Sequence, residues 1–467
     1  MGYNFRPVER DQQYLMPASL RDWLPPDDLA WFVLDVVGEL DLAPIHARYR
    51  ADGWGAAAFD PALMTALLLY AYATGERSSR RIEASCQRDI GYRIITANQV
   101  PDHATIARFR VDHETALGEL FSDVLALCRA AGLGRLGLVA LDGTKLAANA
   151  SLGENRTAAG LDAEIARILA EHAATDAAED EAFGSDRRGD ELPPELADPR
   201  SRLARLREAR RQLEADEARR EAAYRAAVAR RAALPPEERS AVRPPTRPRP
   251  RADRGNPTDP DSRPMKAFPS GHLQGYNAQA AVAADGIILA GELSQEPNDV
   301  AQLGPMLSVL AGNLAAAGFT RPVGTLVADG GYWSEDVIAA LPPGTPKLLI
   351  VPRVGRPRQE HSRPGRWPRP LRDAMEERLK RRRARLLYRK RATTVEPVFG
   401  QLKEARRVRR FQRRGLAACR SEWKLVCTTH NLLKLWRHGQ SRGTAPRATR
   451  PPEPVAAGRS GLGPLAP

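Results

Sequence analysis

Residues 136–150 read LGLVALDGTKLAANA, and the first six of them decide the class of fold. Leu136 to Leu141 is a short apolar run with glycines beside it. That is the pattern of a strand buried on both faces, because a strand with one wet face would alternate apolar and polar residues. The run terminates in Asp142-Gly143. A carboxylate at the end of a buried strand is held rigidly at the rim of a sheet, a common place for chemistry. Asp-Gly is also a standard turn signal, and on this stretch alone both readings stay open.

Working outward, the pattern recurs at 325–341, TLVADGGYWSEDVIAAL. Again a short apolar strand ends in an acid, Asp329, and a helix follows with Ser334 near its start. KLLIVPRVGRP predicts a strand at about 347–351. YNAQAAVAADGIILAGELSQ, 276–295, predicts a β-hairpin around Ala284-Asp285-Gly286, and Asp299–Ala317 a helix. DPDSRPMKAFPSGHLQG, ahead of the hairpin, reads as a polar loop carrying Asp259, Asp261, Ser262, Arg263 and Lys266. Residues 154–255 interrupt the sheet pattern. Two Ala-, Glu- and Arg-rich stretches, about 161–182 and 199–233, predict an antiparallel helical hairpin, and a Pro-rich linker follows.

Residues 1–135 read as helical. Asp60-Pro61 is a start signal, with Asp as N-cap and Pro at the first helical position, and Gly75 is a stop. Ser78-Ser79 starts a second, basic helix, SRRIEASCQRDI, so that the pair resembles a helix-turn-helix. A third unit begins after Pro101. Arg77, Arg80, Arg81, Arg108 and Arg110 are the candidate DNA contacts of this part. A helical bundle with surface arginines explains the same pattern.

The chain has 467 residues, a formal charge of +14 and a pI near 10, which points to a polyanionic partner, nucleic acid before an anionic membrane. No run approaches the ~20 apolar residues of a membrane span. The N-terminus lacks the apolar region of a signal peptide, and four cysteines in so long a chain make no disulfide framework. A reduced cytosol is the expected compartment. Between Arg353 and Arg414 there are 23 Lys and Arg against 6 Asp and Glu, an excess larger than that of the whole chain. The phosphates of the partner are expected there.

One acid inside that basic region stands out: Glu396, in YRKRATTVEPVFGQLKEARRVRRFQRRG, 388–415. The reading places it where a helix begins. A capping box, with Thr393 as N-cap, would explain the residue type. It does not explain an acid among Arg391, Lys403, Arg406 and Arg407. If the strands ending in Asp142 and Asp329 are adjacent and parallel, two carboxylates approach and need a cation between them. Oxygen ligands and a phosphate partner favour Mg²⁺ or Mn²⁺ over Zn²⁺. With Glu396 as third ligand group, two ions ~3.5–4 Å apart would activate a water or a DNA 3′-hydroxyl. Lys403, seven residues on, faces the same side of its helix as Glu396.

These stretches together resemble the DDE transposases of bacterial insertion sequences, the group with an InsH-like N-terminal domain. The resemblance is carried by RDQQYLMPASLRDWLPPDDLAWFVLD, VPDHATIARFR, VALDGTKLAANAS, DPDSRPMK with GYNAQAAV, VADGGYWSEDVI, and TTVEPVFGQLK with EWKLVCTTHNLLKLW. It covers Tyr3 to about Arg437. It implies an RNase H-like mixed sheet with flanking helices, and Asp142, Asp329 and Glu396 as an acidic triad binding two Mg²⁺ or Mn²⁺ ions. The family also carries a Tyr-(2)-Arg-(3)-Glu-(6)-Lys signature. Tyr388 and Arg391 keep the first spacing and Glu396 and Lys403 the last, but four residues rather than three separate Arg391 from Glu396.

The expected organisation is an all-α DNA-binding domain at 1–135 and an α/β catalytic domain at 136–153 and 256–438. The helical insertion with its linker takes 154–255, and a disordered tail 439–467. Cys419, Cys427, His430 and His438 have spacings compatible with zinc, but SEWKLVCTTHNLLKLWRH reads better as one amphipathic core helix, and His103 as a helix-start residue. The expected function is cleavage of double-stranded DNA at terminal inverted repeats and transfer to target DNA, by a homodimer or higher assembly on DNA, associated with the nucleoid. A DNA-binding protein without catalysis and a nuclease without strand transfer are the alternatives.

Overall fold

The computed structural model describes residues 19–50, 57–183, 201–241, 244–247, 254–266, 271–352 and 370–442. Most of the expected tail, part of the Pro-rich linker and the basic residues 353–369 lie outside them.

The N-terminal part is helical: α1 (Leu29–Glu39), α2 (Ala43–His46), α3 (Pro61–Thr74), α4 (Ser79–Arg88), α5 (Ile90–Ile95), α6 (His103–Asp112) and α7 (Glu114–Ala130). The local signals act as read at α3. Asp60 accepts the Ala62 amide at 2.7 Å, and Gly75, at φ 91°, ends the helix in the left-handed region. Apolar all round, α3 is buried between α1, α5 and the C-terminal helix.

The class is α/β, with a mixed sheet and many helices. β1 (Leu138–Ala147) is central. The strands after it are β2 (Arg156–Thr157), β3 (Arg254–Gly255), β4 (Arg263–Lys266), β5 (His272–Ala283), β6 (Ile288–Ser294), β7 (Thr325–Ala328) and β8 (Lys347–Ile350). β5 runs antiparallel along β1, and β6 and β4 pair with β5 beyond it. On the other side β7 runs parallel to β1, and β8 parallel to β7.

β1 corrects the sequence reading: the strand does not end at Asp142 but continues five residues to Ala147. β7 stops at Ala328, so past Leu141 the strand keeps β5 as its ladder partner, with Asp142 opposite Ala280 and Ala147 opposite Gly275, and only its last residue, Ala147, also bridges to Arg410. The stretch read as a polar loop also holds a strand, because Arg263–Lys266 zips onto the start of β5.

β2 and β3 form a two-residue antiparallel ladder at the base of a helical hairpin, α8 (Ala158–Phe183) and α9 (Arg202–Ala232). The hairpin has its own small core, including Leu161, Leu206 and Leu213. α10 (Leu303–Ala316) packs on β6 and β5, and the short α11 (Glu335–Ala339) follows β7; α10 begins later than its expected start at Asp299.

α12 (Pro370–Lys380) leads into α13 (Arg382–Gly400), which lies across β1, β5, β7 and β8. Glu396 is therefore inside a helix, not at its start, and the capping-box reading fails. Pro397 sits in the helix interior, where it lacks an N–H for the ladder. The Thr394 hydroxyl bonds back to the Lys390 carbonyl at 2.7 Å, and Val395, Val398 and Phe399 are buried, so packing holds the helix against the Pro. It then widens into a π-helical turn, Gln401–Ala405.

α14 (Leu416–Arg442) continues past the expected boundary at 438 and joins the two parts of the molecule. It packs on β6 and against α7 and α3. Asn431 exchanges two hydrogen bonds with the backbone of Ile288, and Trp423 donates to the Gln279 carbonyl. One apolar core runs from the N-terminal helices through the sheet to this helix. Cys419, Cys427 and His430 are buried in it as core residues. His103 opens α6 and pairs with Glu83 at 2.8 Å.

Candidate active site

Leu141 stands opposite Ala328 in the parallel pair of β1 and β7. The next residues, Asp142 and Asp329, therefore leave the pair at one level. Asp329 turns into a single 3₁₀ turn and accepts the Gly331 amide at 2.8 Å. Asp142 stays in the β1–β5 ladder and accepts the Gly143 amide at 2.8 Å. Burial pushes the Asp142 carboxyl up to about 6, and the charges of Asp329 and Asp299 push the same way, while Arg391 and the Gly143 amide pull it down.

α13 brings the basic region to these acids. Arg391 Nη1 donates to Asp142 Oδ2 at 2.7 Å, and its Nη2 lies 3.8 Å from Glu396 Oε1. One guanidinium thus stands between two of the three candidate acids. Glu396 itself is 63% exposed. Tyr388, one turn back, bonds to Arg391, and burial raises its phenol, with Asp329 and Asp142 adding to the effect. Along the outer side of the same helix, Arg382, Arg383, Arg385, Arg389 and Lys390 are exposed.

Two further charged residues close the site, and no sequence pattern marks either. Asp299, in the loop after β6, accepts from Asn277 and Gln279 of β5, each at 2.7 Å, and lies 4.0 Å from Lys145 Nζ. Lys145 is on β1, three residues past Asp142. Burial lowers its ammonium, while Asp299, Asp142 and Asp329 hold it up; Lys403 is near enough to oppose it. Lys403, in the π-turn, is likewise lowered by burial. Gly143 makes room for this arrangement, since a Cβ there would meet Gln279 Nε2 at 2.4 Å and Asp299 Oδ1 at 2.6 Å. A lone Asp in a loop belongs to no periodic pattern, which is why Asp299 escapes a sequence reading.

Among the described residues, no three His, Cys, Asp or Glu side chains stand close enough to hold a metal ion. What the site offers is a half-buried, oxygen-only pair, Asp142 and Asp329, with Arg391 as the cation against Asp142.

The expected DNA contacts divide. Arg80, Arg81, Arg108 and Arg407 are exposed, Arg81 in a pair with Glu76 at 3.1 Å. Arg406 is corrected: it is 4% exposed and donates to the carbonyls of Tyr72 and Val426 and to the Thr429 hydroxyl. Arg110 is corrected too: it is 5% exposed and held by the Arg77 carbonyl, the Ser79 hydroxyl and Tyr72. Arg77 is buried on Glu422 at 2.8 Å and on the Arg410 carbonyl. Each of these three is taken up by backbone or carboxylate acceptors inside the molecule, so none is free to meet a phosphate outside.

No curated protein and no solved structure matches the chain. A family model described as a transposase DDE domain matches residues 356–436, the stretch that holds Tyr388, Arg391, Glu396 and Lys403. A second, described as a transposase domain, matches residues 18–112. Matched at opposite ends of the chain, the two support a DDE transposase of an insertion-sequence family.

Proposed function

We propose that the protein cuts double-stranded DNA at the terminal inverted repeats of an insertion sequence and joins the freed ends to target DNA, with Asp142, Asp329 and Glu396 as its acidic residues. The observation that carries this reading is the parallel register of β1 and β7, which sets Asp142 and Asp329 abreast beneath the basic helix that bears Glu396. The strand order supports an RNase H-like core. Counting the five main strands along the chain, the sheet runs 3-2-1-4-5, with the first three antiparallel and the last two parallel to the first.

Two half-buried carboxylates, one of them pushed up by burial and by its acidic neighbours, fit a hard divalent cation such as Mg²⁺ or Mn²⁺. Asp142 and Asp329 would hold it, and Glu396 would join them once Arg391 releases Asp142. Two such ions when bound would polarise the phosphodiester and make a water or 3′-hydroxyl nucleophilic. The chain's own part is to hold the phosphate. Arg391, Lys403 and Tyr388 converge on the site and would orient the reacting group, and the exposed basic face of α13 and Arg407 would guide the strand to it. In cleavage, a water oxygen bonds to phosphorus as the bond to the 3′ oxygen breaks, giving a 3′-hydroxyl and a 5′-phosphate. In transfer, that hydroxyl attacks a target phosphodiester and displaces the target's 3′ oxygen. Joining two ends calls for a homodimer or higher assembly on DNA, working at the nucleoid.

Asp142→Asn, Asp329→Asn and Glu396→Gln should each abolish cutting of a donor plasmid carrying the element's ends, while end binding persists. Wild-type cutting by any one of them would remove that residue from the site. The Arg391–Asp142 pair favours a second reading, a DNA-binding protein that does not cut. Binding without nicking or strand transfer in the same assay, with Mg²⁺ or Mn²⁺ present, would establish it.

A further inference from the structure

A cleft of about 620 Å³ opens between the N-terminal helices and the segment that follows α13. Arg77–Arg80 and α6 form one wall, and Asn149 with Gln412–Arg414 the other. Five arginines line it and no Asp or Glu does. The acids that pair with its lining lie outside it: Glu422 on Arg77, Glu114 on Arg413 and Glu83 on His103. Arg80 is exposed and has neither a hydrogen-bond nor an ion-pair partner among the described residues. Arg414 is exposed and donates from Nε to the Asn149 carbonyl at 3.0 Å, with no acceptor for its terminal nitrogens among the described residues.

Ser78, at the N-cap of α4, makes no side-chain cap, and the Glu76 carboxylate accepts the amides of Arg77 and Ser78 just ahead of the helix. Arg77 itself is buried on Glu422, so the exposed cations of the cleft left without a counter-charge are Arg80 and Arg414, one on each wall. A concave surface with uncompensated cations on both walls concentrates phosphate.

The far wall is fixed to the strand that carries Asp142. The Phe411 amide donates to Ala147 O at 2.8 Å, and the Ala147 amide to Arg409 O at 3.0 Å. Ala147 is five residues beyond Asp142, about 17 Å along the strand. Successive phosphates of one DNA strand advance about 3.4 Å along the axis, so the cleft lies on the order of five nucleotides from the candidate cutting position.

We infer that this cleft grips a backbone phosphate of the bound DNA, between Arg80 on α4 and Arg414 beside β1, and so sets the register between the N-terminal helices and the active site. The inference rests on the reading that DNA is the substrate. It makes the cleft a positioning site, not a reader of bases, since phosphate contacts carry no sequence information.

The test is equilibrium binding of the full-length protein to a linear duplex of mixed sequence across a range of salt, followed by fluorescence anisotropy. Arg80→Ala and Arg414→Ala should each weaken binding and lower the slope of log affinity against log salt by about 1. Arg211→Ala, an equal loss of charge on α9, should leave the slope unchanged. Both cleft arginines are exposed, so unchanged thermal unfolding of the variants would confirm that they fold. Wild-type affinity and slope in the Arg80→Ala/Arg414→Ala double variant would overturn the cleft and leave the proposed function standing. Failure of the wild-type protein to bind duplex DNA at any salt would overturn the proposed function, and the cleft with it. Binding of inorganic phosphate that competes with the duplex in the wild type but not in the double variant would support the cleft. Equal competition in both would count against it.

Discussion

Arg406 is one of 23 basic residues between positions 353 and 414, and nothing near it in sequence marks it as the one that turns inward. What selects it is the buried junction of α3 and α14, where the Tyr72 and Val426 carbonyls both accept from its guanidinium. Its neighbour in space, the Arg77–Glu422 pair, is also buried, with Glu422 further accepting the amides of Gln412 and Arg413. Breaking such a pair leaves a charge without compensation. Glu422→Ala should therefore cost about 3–5 kcal/mol in denaturant unfolding, and a loss below 1 kcal/mol would show the pair to be dispensable. His430 gives the pH dependence. Burial drives its imidazole down to about 3 from 6.5, although its Nε2 meets the Gly286 carbonyl. A depressed histidine contributes stability that is fully present above pH 6.5 and is lost as pH falls through the folded value. Stability should fall with acid from about pH 6.5 toward 3, by up to about 1.4 kcal/mol per unit. His430→Gln should flatten that slope in pH-dependent unfolding, and an unchanged profile would assign the acid loss to other groups.

The elements were legible wherever burial on two faces or a capping pair marked them. Asp60 and Gly75 bounded α3, and apolar runs marked β7 and β8. β1 was cut short because an apolar run reports burial, not length. Beyond Leu141 the strand has lost β7 as a neighbour, its residues are half-buried, and LDGTKLA no longer looks like a core strand. Those half-buried positions carry Asp142 and Lys145, so the part of the strand that sequence patterns miss is the part that faces the site. In α13 the opposite error arose. A Pro after a Thr-Thr-Val-Glu run reads as a first turn, but the apolar face of Val395, Val398 and Phe399 carries the helix through it. Replacing that Pro restores an N–H, so Pro397→Ala should raise stability by about 1–3 kcal/mol. It should also lower cutting, because a regular turn there would move Lys403 relative to Glu396. Unchanged stability would mean that the turn is not strained by the Pro. Gly143→Ala should lower cutting as well, since its Cβ would fall on Gln279 and Asp299; wild-type rates in the plasmid assay would sink that account.

On the scale of the whole molecule, the hairpin of α8 and α9 hangs from the β2–β3 ladder and keeps a core of its own. The two chains are one strand spacing apart at Thr157 and Arg254, so replacing 158–253 with a two-residue turn should leave the main thermal transition in place. Loss of that transition would show that the hairpin supports the sheet. The N-terminal helices contrast with it, for α3 and α7 bury themselves against α14. That arrangement has a consequence during synthesis. The ribosome makes α7 some 300 residues before it finishes α14, a wait of about 15–60 s at 5–20 residues per second. Through that interval the apolar faces of α3 and α7 have no permanent cover. The nascent chain must be sheltered or held by provisional contacts, and its N-terminal helices are fully packed only as α14 leaves the tunnel.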